Sequence, residues 1–359
     1  MKSILHIITT ISRGGAEKQL LILAREQVAN GDRVSVLYLK DDPDLKEDFA
    51  DIGVEVISRF ANINPIRQLV FIRQFLSNQN TIIHAHLPRA ELIARFSIAH
   101  QIFVISRHNS EPFFPGAPKF FSILLSRFVT RRANLCISIS KAVQNYLEKN
   151  NEISPKTISE VVLYGYQKER ILKSRILSDG SKDFRMGTIA RLVPQKDYPT
   201  LIRAFALIVK TIPQATLSIV GSGPLERDLK ELADELGVRE KIDWQGKRSD
   251  IDDYLRNIDL FLLTSNYEGF GLVLLEAMAN RVPVIAARNS AIPEVIGDFS
   301  ETLFETGEYF DLSKKILASI SLKSREVIVQ RQILRLKKFD AREMGNKINA
   351  LYRLLDENI

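Results

Sequence analysis

Short apolar runs that stop at glycine or polar turns, each followed by a helix-length stripe, recur along the chain and constrain its fold more than any other feature. The runs predicted as strands are 3–8, 34–39, 54–57, 82–85, 102–105, 135–138, 161–163, 185–190, 215–220 and 260–263. Helices are predicted between them, among them 16–29, 118–133, 200–210, 225–236 and 272–279. Strands separated by helices imply a parallel sheet with helices on both faces, because a parallel neighbour needs a crossover long enough to hold one. At 359 residues the chain suits two such domains of roughly 150 to 200 residues each. The pattern predicts a first domain over 1–165, a connection over 166–183 where charged and small residues break the alternation, a second domain over 184–340, and a last amphipathic helix within 341–359.

The stretch from Leu260 to Ala279 carries the most chemistry. An apolar run ends in a polar loop holding Gly269 and Gly271, and a helix-forming run starts at Leu272. Such a turn leaves the first helical amides unpaired at the sheet's carboxyl edge, where the helix dipole favours an anion, so a diphosphate would fit. Glu268 stands in the loop and Glu276 in the helix. Both carboxylates are better suited to hydroxyls than to the phosphate between them, which suggests a ligand that is sugar, diphosphate and ribose in sequence. Taken alone, Glu268 could equally cap the helix and Glu276 face solvent.

The run from Ser265 to Ala279, continuing through Pro283-Val284-Ile285-Ala286, resembles the Glu-x7-Glu signature of the retaining glycosyltransferases of family 4, in the GT-B class. That resemblance implies two Rossmann-like doubly wound domains facing across a cleft, with acceptor binding in the first and nucleotide-sugar binding in the second. It implies donor contacts from Gly269, Phe270, Gly271 and Leu272, sugar hydroxyls on Glu268 and ribose on Glu276. The segment Ala190-Arg191-Leu192-Val193-Pro194-Gln195-Lys196 matches the family's Arg-x4-Lys element. Arg191 offers a planar fork and Lys196 a point charge, together opposing the charge a nucleoside diphosphate develops as it leaves. His108, directly after a predicted strand, aligns with the family's histidine at the reaction centre. Arg13-Gly14-Gly15-Ala16-Glu17 resembles the family's N-terminal glycine loop, which faces acceptor or phosphate.

Departures from the family pattern are equally specific. Tyr164-Gly165 stands where Asn-Gly is usual, Arg281 where glycine is common, and Ser290-Ala291-Ile292 replaces a more glycine-rich loop; the last two are expected beside the donor segment. Gly221-Ser222-Gly223 follows a strand but lacks the third glycine of a dinucleotide fingerprint, so NAD is not expected and the loop is expected to line the nucleotide pocket. The family places its nucleobase pocket near 244–248. The last helix is expected to cross back to the first domain.

The net charge of +7 admits anionic nucleotides, nucleic acid or an acidic membrane surface. Scattered basic residues with no RNP strand, zinc-finger spacing or recognition helix argue against nucleic acid. The lone Cys136, in an apolar run, reads as a buried thiol. No apolar run approaches the ~20 residues of a membrane span. Arg13 and Gly14 follow a strand-length segment without a signal-peptide layout, so a cytoplasmic protein is expected. The helix predicted at 118–133 has Phe121, Leu124, Leu125, Phe128 and Val129 on one stripe and Lys119, Arg127, Arg131 and Arg132 on the other. This reads first as a core helix with a solvated basic face and second as a helix lying on the inner face of an anionic membrane. His84 reads as structural and His86 is undecided. No histidine pair has metal-site spacing, and Asp42-Pro43-Asp44 and Asp250-Ile251-Asp252 read as loop or cap residues, so no metal or other cofactor is expected.

The expected function is transfer of a hexose or N-acetylhexosamine from a nucleoside-diphosphate sugar to a hydroxyl of a glycan or lipid-linked acceptor. The family's usual setting is bacterial cell-surface polysaccharide assembly. A nucleotide-sugar 2-epimerase of the same fold and a non-catalytic anion-binding subunit are the alternatives.

Overall fold

A computed structural model describes residues 1–114, 116–177 and 183–357. The chain divides into two compact units, the first formed by Met1–Gln167 with Phe339–Ile359 and the second by Lys168–Lys338. Part of the connection expected at 166–183, including Ser178-Asp179-Gly180-Ser181, lies outside the described residues.

The first unit holds a seven-stranded sheet of β1 (Ser3–Ile8), β2 (Arg33–Tyr38), β3 (Glu55–Ile57), β4 (Ile82–His86), β5 (Phe103–Arg107), β6 (Leu135–Ser138) and β7 (Ile158–Val161), in the order β3-β2-β1-β4-β5-β6-β7. Every neighbouring pair is parallel. The second unit holds β8 (Arg185–Ile189), β9 (Thr216–Val220), β10 (Ile242–Gly246), β11 (Leu260–Leu263), β12 (Val284–Ala287) and β13 (Leu303–Phe304), in the order β10-β9-β8-β11-β12-β13, again all parallel. Both are Rossmann-like sheets. The central strands are buried along their length, which is why they read as unbroken apolar runs.

Each sheet reverses its strand order once, between β1 and β4 and between β8 and β11. A crevice opens at such a reversal because the two crossovers leave in opposite directions, and ligands bind there beyond the carboxyl ends of the strands. In the first unit the loops at that position follow Ile8 and His86. In the second they follow Ile189 and Leu263 and carry Arg191, Lys196 and Glu268.

The helix Ala341–Glu357 belongs to the first unit, where Met344, Ile348, Tyr352 and Leu355 join Ile4, Leu23, Val104 and Leu135 in one core cluster. Gly165 meets this return so closely that a Cβ there would lie 2.6 Å from the Ala341 Cα.

Two sequence expectations need correction. The strand expected at 161–163 lies at Ile158–Val161; it is an edge strand of mixed polarity, and only its apolar tail stood out. The helix expected at 118–133 spans Lys119–Thr130, and of its apolar stripe only Val129 is buried in the core. Ser122, Ser126 and Thr130 are buried beside it, while Phe120 (67% exposed), Phe121 (59%) and Leu124 (48%) point outward. The small hydroxyl residues are selected because they pack and bond locally: Ser126 Oγ and Thr130 Oγ1 both donate to the Glu152 carbonyl.

Candidate active site

In the second unit, β8 and β11 deliver their loops side by side. Pro194–Lys196 is a single 3-10 turn, stitched to the loop after β11 by four hydrogen bonds. The Asn266 amide donates to the Gln195 carbonyl at 2.7 Å and Gln195 Nε2 to the Tyr267 carbonyl at 2.9 Å. Thr264 Oγ1 donates to the Lys196 carbonyl at 2.9 Å and Asn266 Nδ2 to the Pro194 carbonyl at 3.3 Å. The basic segment and the acidic loop therefore form one rigid edge.

On that edge Lys196 Nζ donates to Glu268 Oε1 at 2.6 Å, and Ser265 Oγ donates to the same oxygen at 2.6 Å. Both side chains of the ion pair are largely buried, so the contact keeps much of its strength. Glu268 precedes Gly271, which sits at φ +85° as the N-cap of Leu272–Ala279. A side chain at Gly271 would be strained by that φ and would lie 2.9 Å from Leu274 Cδ1, so glycine is required twice over. The consequence is a helix N-terminus with its first amides bare of any capping side chain. Glu276 is on the same helix, half-buried, and Arg191 is exposed at the end of β8.

The Gly221-Ser222-Gly223 loop has a supporting task that its sequence did not reveal. A Cβ on Gly221 would fall 1.9 Å from the Ala190 carbonyl oxygen, and one on Gly223 would fall 2.4 Å from that of Leu192. Leu192 N donates to the Ser222 carbonyl and Leu225 N to that of Leu192. The absent side chains let the loop grip the backbone on both sides of Arg191. Asn289, just before the Ser290-Ala291-Ile292 departure, donates through Nδ2 to the Ser265 carbonyl at 2.8 Å and so braces the acidic loop from behind.

Arg281 does not adjoin this edge. It follows the opposite end of the helix that Gly271 begins, in left-handed backbone (φ +55°), and its Nε donates to the Leu172 carbonyl at 2.7 Å. The aspartates read as loop or cap residues have local partners: Asp252 binds Arg170 and Asn280, Asp250 binds Arg248, and Asp44 accepts from the Arg13 amide.

In the first unit, Gly14 is the N-cap of Gly15–Ala29 and the chain's own Glu17 folds back over it, its Oε2 2.3 Å from where a Gly14 Cβ would stand. Burial raises the Glu17 carboxyl, while its own backbone amide and Thr10 Oγ1, donating at 2.9 Å, pull it down. A carboxylate in the anion position of this helix argues against phosphate at Gly14-Gly15, which leaves a hydroxyl-bearing ligand as the better match.

His108 is half-buried beyond the end of β5 and belongs to a cluster that sequence spacing could not show, since its members come from different strands. His6, His84 and His86 lie on β1 and β4 with one ring nitrogen of each within 4.8 Å of the others. His6 was not singled out from the sequence; its only signal was a polar residue inside an otherwise apolar buried strand. His84 bonds Tyr352 OH at 2.6 Å and Ser106 Oγ at 2.8 Å. His86 bonds His6 at 3.0 Å and His108 at 3.2 Å, and His108 bonds the Tyr164 hydroxyl. Tyr164, the residue standing where the family has asparagine, thus closes a histidine network. Burial, and then the neighbouring Arg107 guanidinium, hold His108 down to about 3; burial, opposed by Gln27, holds His6 down to about 4. At neutral pH these imidazoles are uncharged. Beneath them Arg107 is buried between Glu91 (3.0 Å) and Glu152 (3.6 Å). Cys136 is buried, and burial pushes its thiol up to about 12.

Two parallel doubly wound units, one carrying a cation–carboxylate edge beside a helix N-terminus without a capping side chain, define a protein of the doubly wound α/β class. Comparison with known proteins agrees. Residues 13–161 match the model described as Glycosyltransferase Family 4, and residues 170–333 the one described as Glycosyl transferases group 1. The chain belongs to the GT-B glycosyltransferases.

Among curated relatives, N-acetyl-alpha-D-glucosaminyl L-malate synthase of Bacillus anthracis is 29% identical over 227 residues, covering 60% of this chain and 58% of that protein. The lipopolysaccharide core biosynthesis mannosyltransferase LpsB of Rhizobium meliloti is 30% identical over 195 residues, covering 51% and 52%. The matches thus span little more than half the length of these relatives. Anabaena Alr3699/HepE, solved in complex with UDP and glucose, is similar over 98% of this chain and 100% of that one, with TM-score 0.83 and 22% identity. Sucrose-phosphate synthase from Thermosynechococcus elongatus matches over the full length of both chains, with TM-score 0.80 and 16% identity.

Proposed function

We propose that this chain transfers a hexose or N-acetylhexosamine, with retention of anomeric configuration, from a nucleoside-diphosphate sugar to an acceptor hydroxyl. The observation that carries the reading is the 2.6 Å Lys196–Glu268 pair beside the Gly271 helix N-terminus. An ammonium has three donors, so Lys196 can hold Glu268 and still meet a diphosphate oxygen. Arg191 and the helix amides add positive potential where the leaving group gains charge, which is stabilisation specific to the transition state. Glu268 then has its second oxygen for sugar hydroxyls, and Glu276 takes the ribose. His108 and the Gly14-Gly15 loop of the first unit serve sugar and acceptor hydroxyls. The cations and amides perform the electrostatic task a divalent ion would otherwise serve, so turnover is expected to persist in chelator.

Lys196→Ala and Glu268→Gln, assayed over a panel of nucleotide sugars by product mass and anomeric NMR, test this. Each should lower kcat by about 10²–10³, with the far-UV spectrum unchanged. Near-normal rates in both, or an inverted product, would end the reading.

We also propose that the acceptor is lipid-linked and belongs to bacterial surface polysaccharide assembly, and that the first unit rests on an anionic inner membrane leaflet. This rests on the outward Phe96, Phe120, Phe121, Leu124 and Phe128 with Arg95, Arg127 and Arg131 around them, together with the printed role of the relative LpsB. No helix among the described residues is long and apolar enough to cross a membrane. An amphipathic face with basic flanks binds at the interface through both buried apolar area and lipid charge. Sedimentation with phosphatidylglycerol vesicles, but not with phosphatidylcholine vesicles, is the expected result. Equal recovery in both supernatants would refute it.

A further inference from the structure

Three imidazoles run in series through the first unit, and both ends of the series are set by groups other than histidine. Gln27 Oε1 lies 2.8 Å from His6 Nε2, His6 Nδ1 lies 3.0 Å from His86 Nε2, and His86 Nδ1 lies 3.2 Å from His108 Nε2. His108 Nδ1 then meets the Tyr164 hydroxyl. Gln27, His6 and His86 are fully or almost fully buried.

The logic of donors and acceptors leaves one arrangement. An amide oxygen can only accept, so His6 Nε2 must carry its proton. A neutral ring has one N–H, so His6 Nδ1 is an acceptor and His86 Nε2 must donate to it. The same step repeats: His86 Nδ1 accepts, His108 Nε2 donates, and His108 Nδ1 is left with a lone pair that accepts from Tyr164. Protonating either inner ring would set two N–H groups against each other across a contact of about 3 Å. The series is also not a proton wire. Its far end is a carboxamide, which can neither supply nor take a proton at neutral pH.

Resting on the transferase reading of His108, we propose that Gln27 is a positioning residue that acts through His6 and His86 to fix His108 as the Nε2–H tautomer. His108 then presents Nδ1 only as a hydrogen-bond acceptor. A group that displaces or joins Tyr164 there must bring an O–H or N–H, so the site selects a free hydroxyl and disfavours fluoro or O-methyl analogues at that substrate position. The device makes the chemistry of a loop residue depend on a glutamine in the helix Gly15–Ala29, two rings away.

The test reads the tautomer directly. In protein with 15N-labelled histidine, two-dimensional NMR distinguishes protonated from unprotonated ring nitrogens. The wild-type enzyme should show His6, His86 and His108 all as Nε2–H at pH 7.5, with the His108 signals assigned by loss in His108→Gln. Gln27→Met, of similar volume and without the acceptor, should give a mixed tautomer at His108. Its kcat should fall about tenfold, the worth of one hydrogen bond, with donor KM within twofold. Gln27→Glu, which restores the acceptor, should recover the single tautomer and most of the rate. A His108 Nδ1–H tautomer in wild type overturns the proposal, as does an unchanged His108 signal in folded Gln27→Met. The wild-type spectrum decides even if that variant does not fold. Because the spectrum is independent of turnover, the expected tautomer in a protein that transfers no sugar would count against the functional reading and not against the relay.

Discussion

Acidification should unfold the first unit long before the second. All five histidines of the chain lie in the first unit, and four of them, His6, His84, His86 and His108, are the ones that burial drives below their ordinary range. In the unfolded chain each takes a proton near pH 6.5, whereas folded His6 waits until about 4 and folded His108 until about 3. Between those values the unfolded state binds more protons, so stability falls as pH falls. At about pH 5, some 1.5 units below 6.5, His6 and His108 each cost about 2 kcal/mol at 1.36 kcal/mol per unit, about 4 kcal/mol together, and His84 and His86, which burial holds well below the ordinary value, add to the same sign.

Glu91 acts in the opposite sense. Burial, against the pull of Arg107, raises its carboxyl to about 7, so it takes up a proton in the folded state first. By about pH 5 it returns about 3 kcal/mol, and Glu17 and Glu152, also raised mainly by burial, add to that sign. The four imidazoles outweigh the carboxyls, which leaves a net loss on the order of a few kcal/mol, a large share of an ordinary domain's stability. With a urea slope of about 2 kcal/mol/M it moves the midpoint down by about 1 M.

Trp244, the sole tryptophan, lies in the second unit and gives it a private reporter. Urea titrations at pH 7.5 and 5.0 should show the far-UV circular dichroism splitting into two transitions at the lower pH. The early transition should have no counterpart in Trp244 fluorescence. Midpoints that agree within 0.5 M across the two pH values, or a Trp244 transition that shifts as far as the other, would refute the reasoning.

Three further outcomes follow from the packing. Gly221→Ala forces a methyl into the Ala190 carbonyl oxygen and should cost at least 3 kcal/mol or misplace Arg191, read as a lower urea midpoint or a raised donor KM. Arg281→Gly relieves left-handed backbone worth about 1 kcal/mol but loses the bond to Leu172, so its midpoint should stay within 0.5 M of the parent and its rate should not change. Cys136 should resist alkylation by iodoacetamide at pH 8 until urea unfolds the first unit, because its thiol is buried and pushed up to about 12.

The architecture was legible because both units use the same rule: buried parallel strands read as apolar runs and their crossovers as helices. The acidic loop and the basic segment were legible as separate motifs, and strand order is what joins them, by seating β8 next to β11. Three things were not. The histidine series runs between strands 80 residues apart in sequence, as with His6 and His86, so no local spacing betrays it. The Lys119–Thr130 helix misled because hydrophobicity was taken to mark the buried face, whereas serine and threonine that bond to the Glu152 carbonyl fill it. Gly221 and Gly223 read only as a loop expected to line the nucleotide pocket, and their close approach to the backbone of residues 190–192 had no local signal.

The helix that returns at Ala341–Glu357 also sets a schedule for the cell. Its Tyr352 reaches His84 and its apolar residues seal the same core as Ile4, yet the residues of Lys168–Lys338 must leave the ribosome between those two halves. At synthesis rates of roughly 5–20 residues per second that gap is on the order of ten to thirty seconds. Throughout it the nascent first unit has an open flank, and all of the second unit is made before that flank can close, so the part made first is the part finished last.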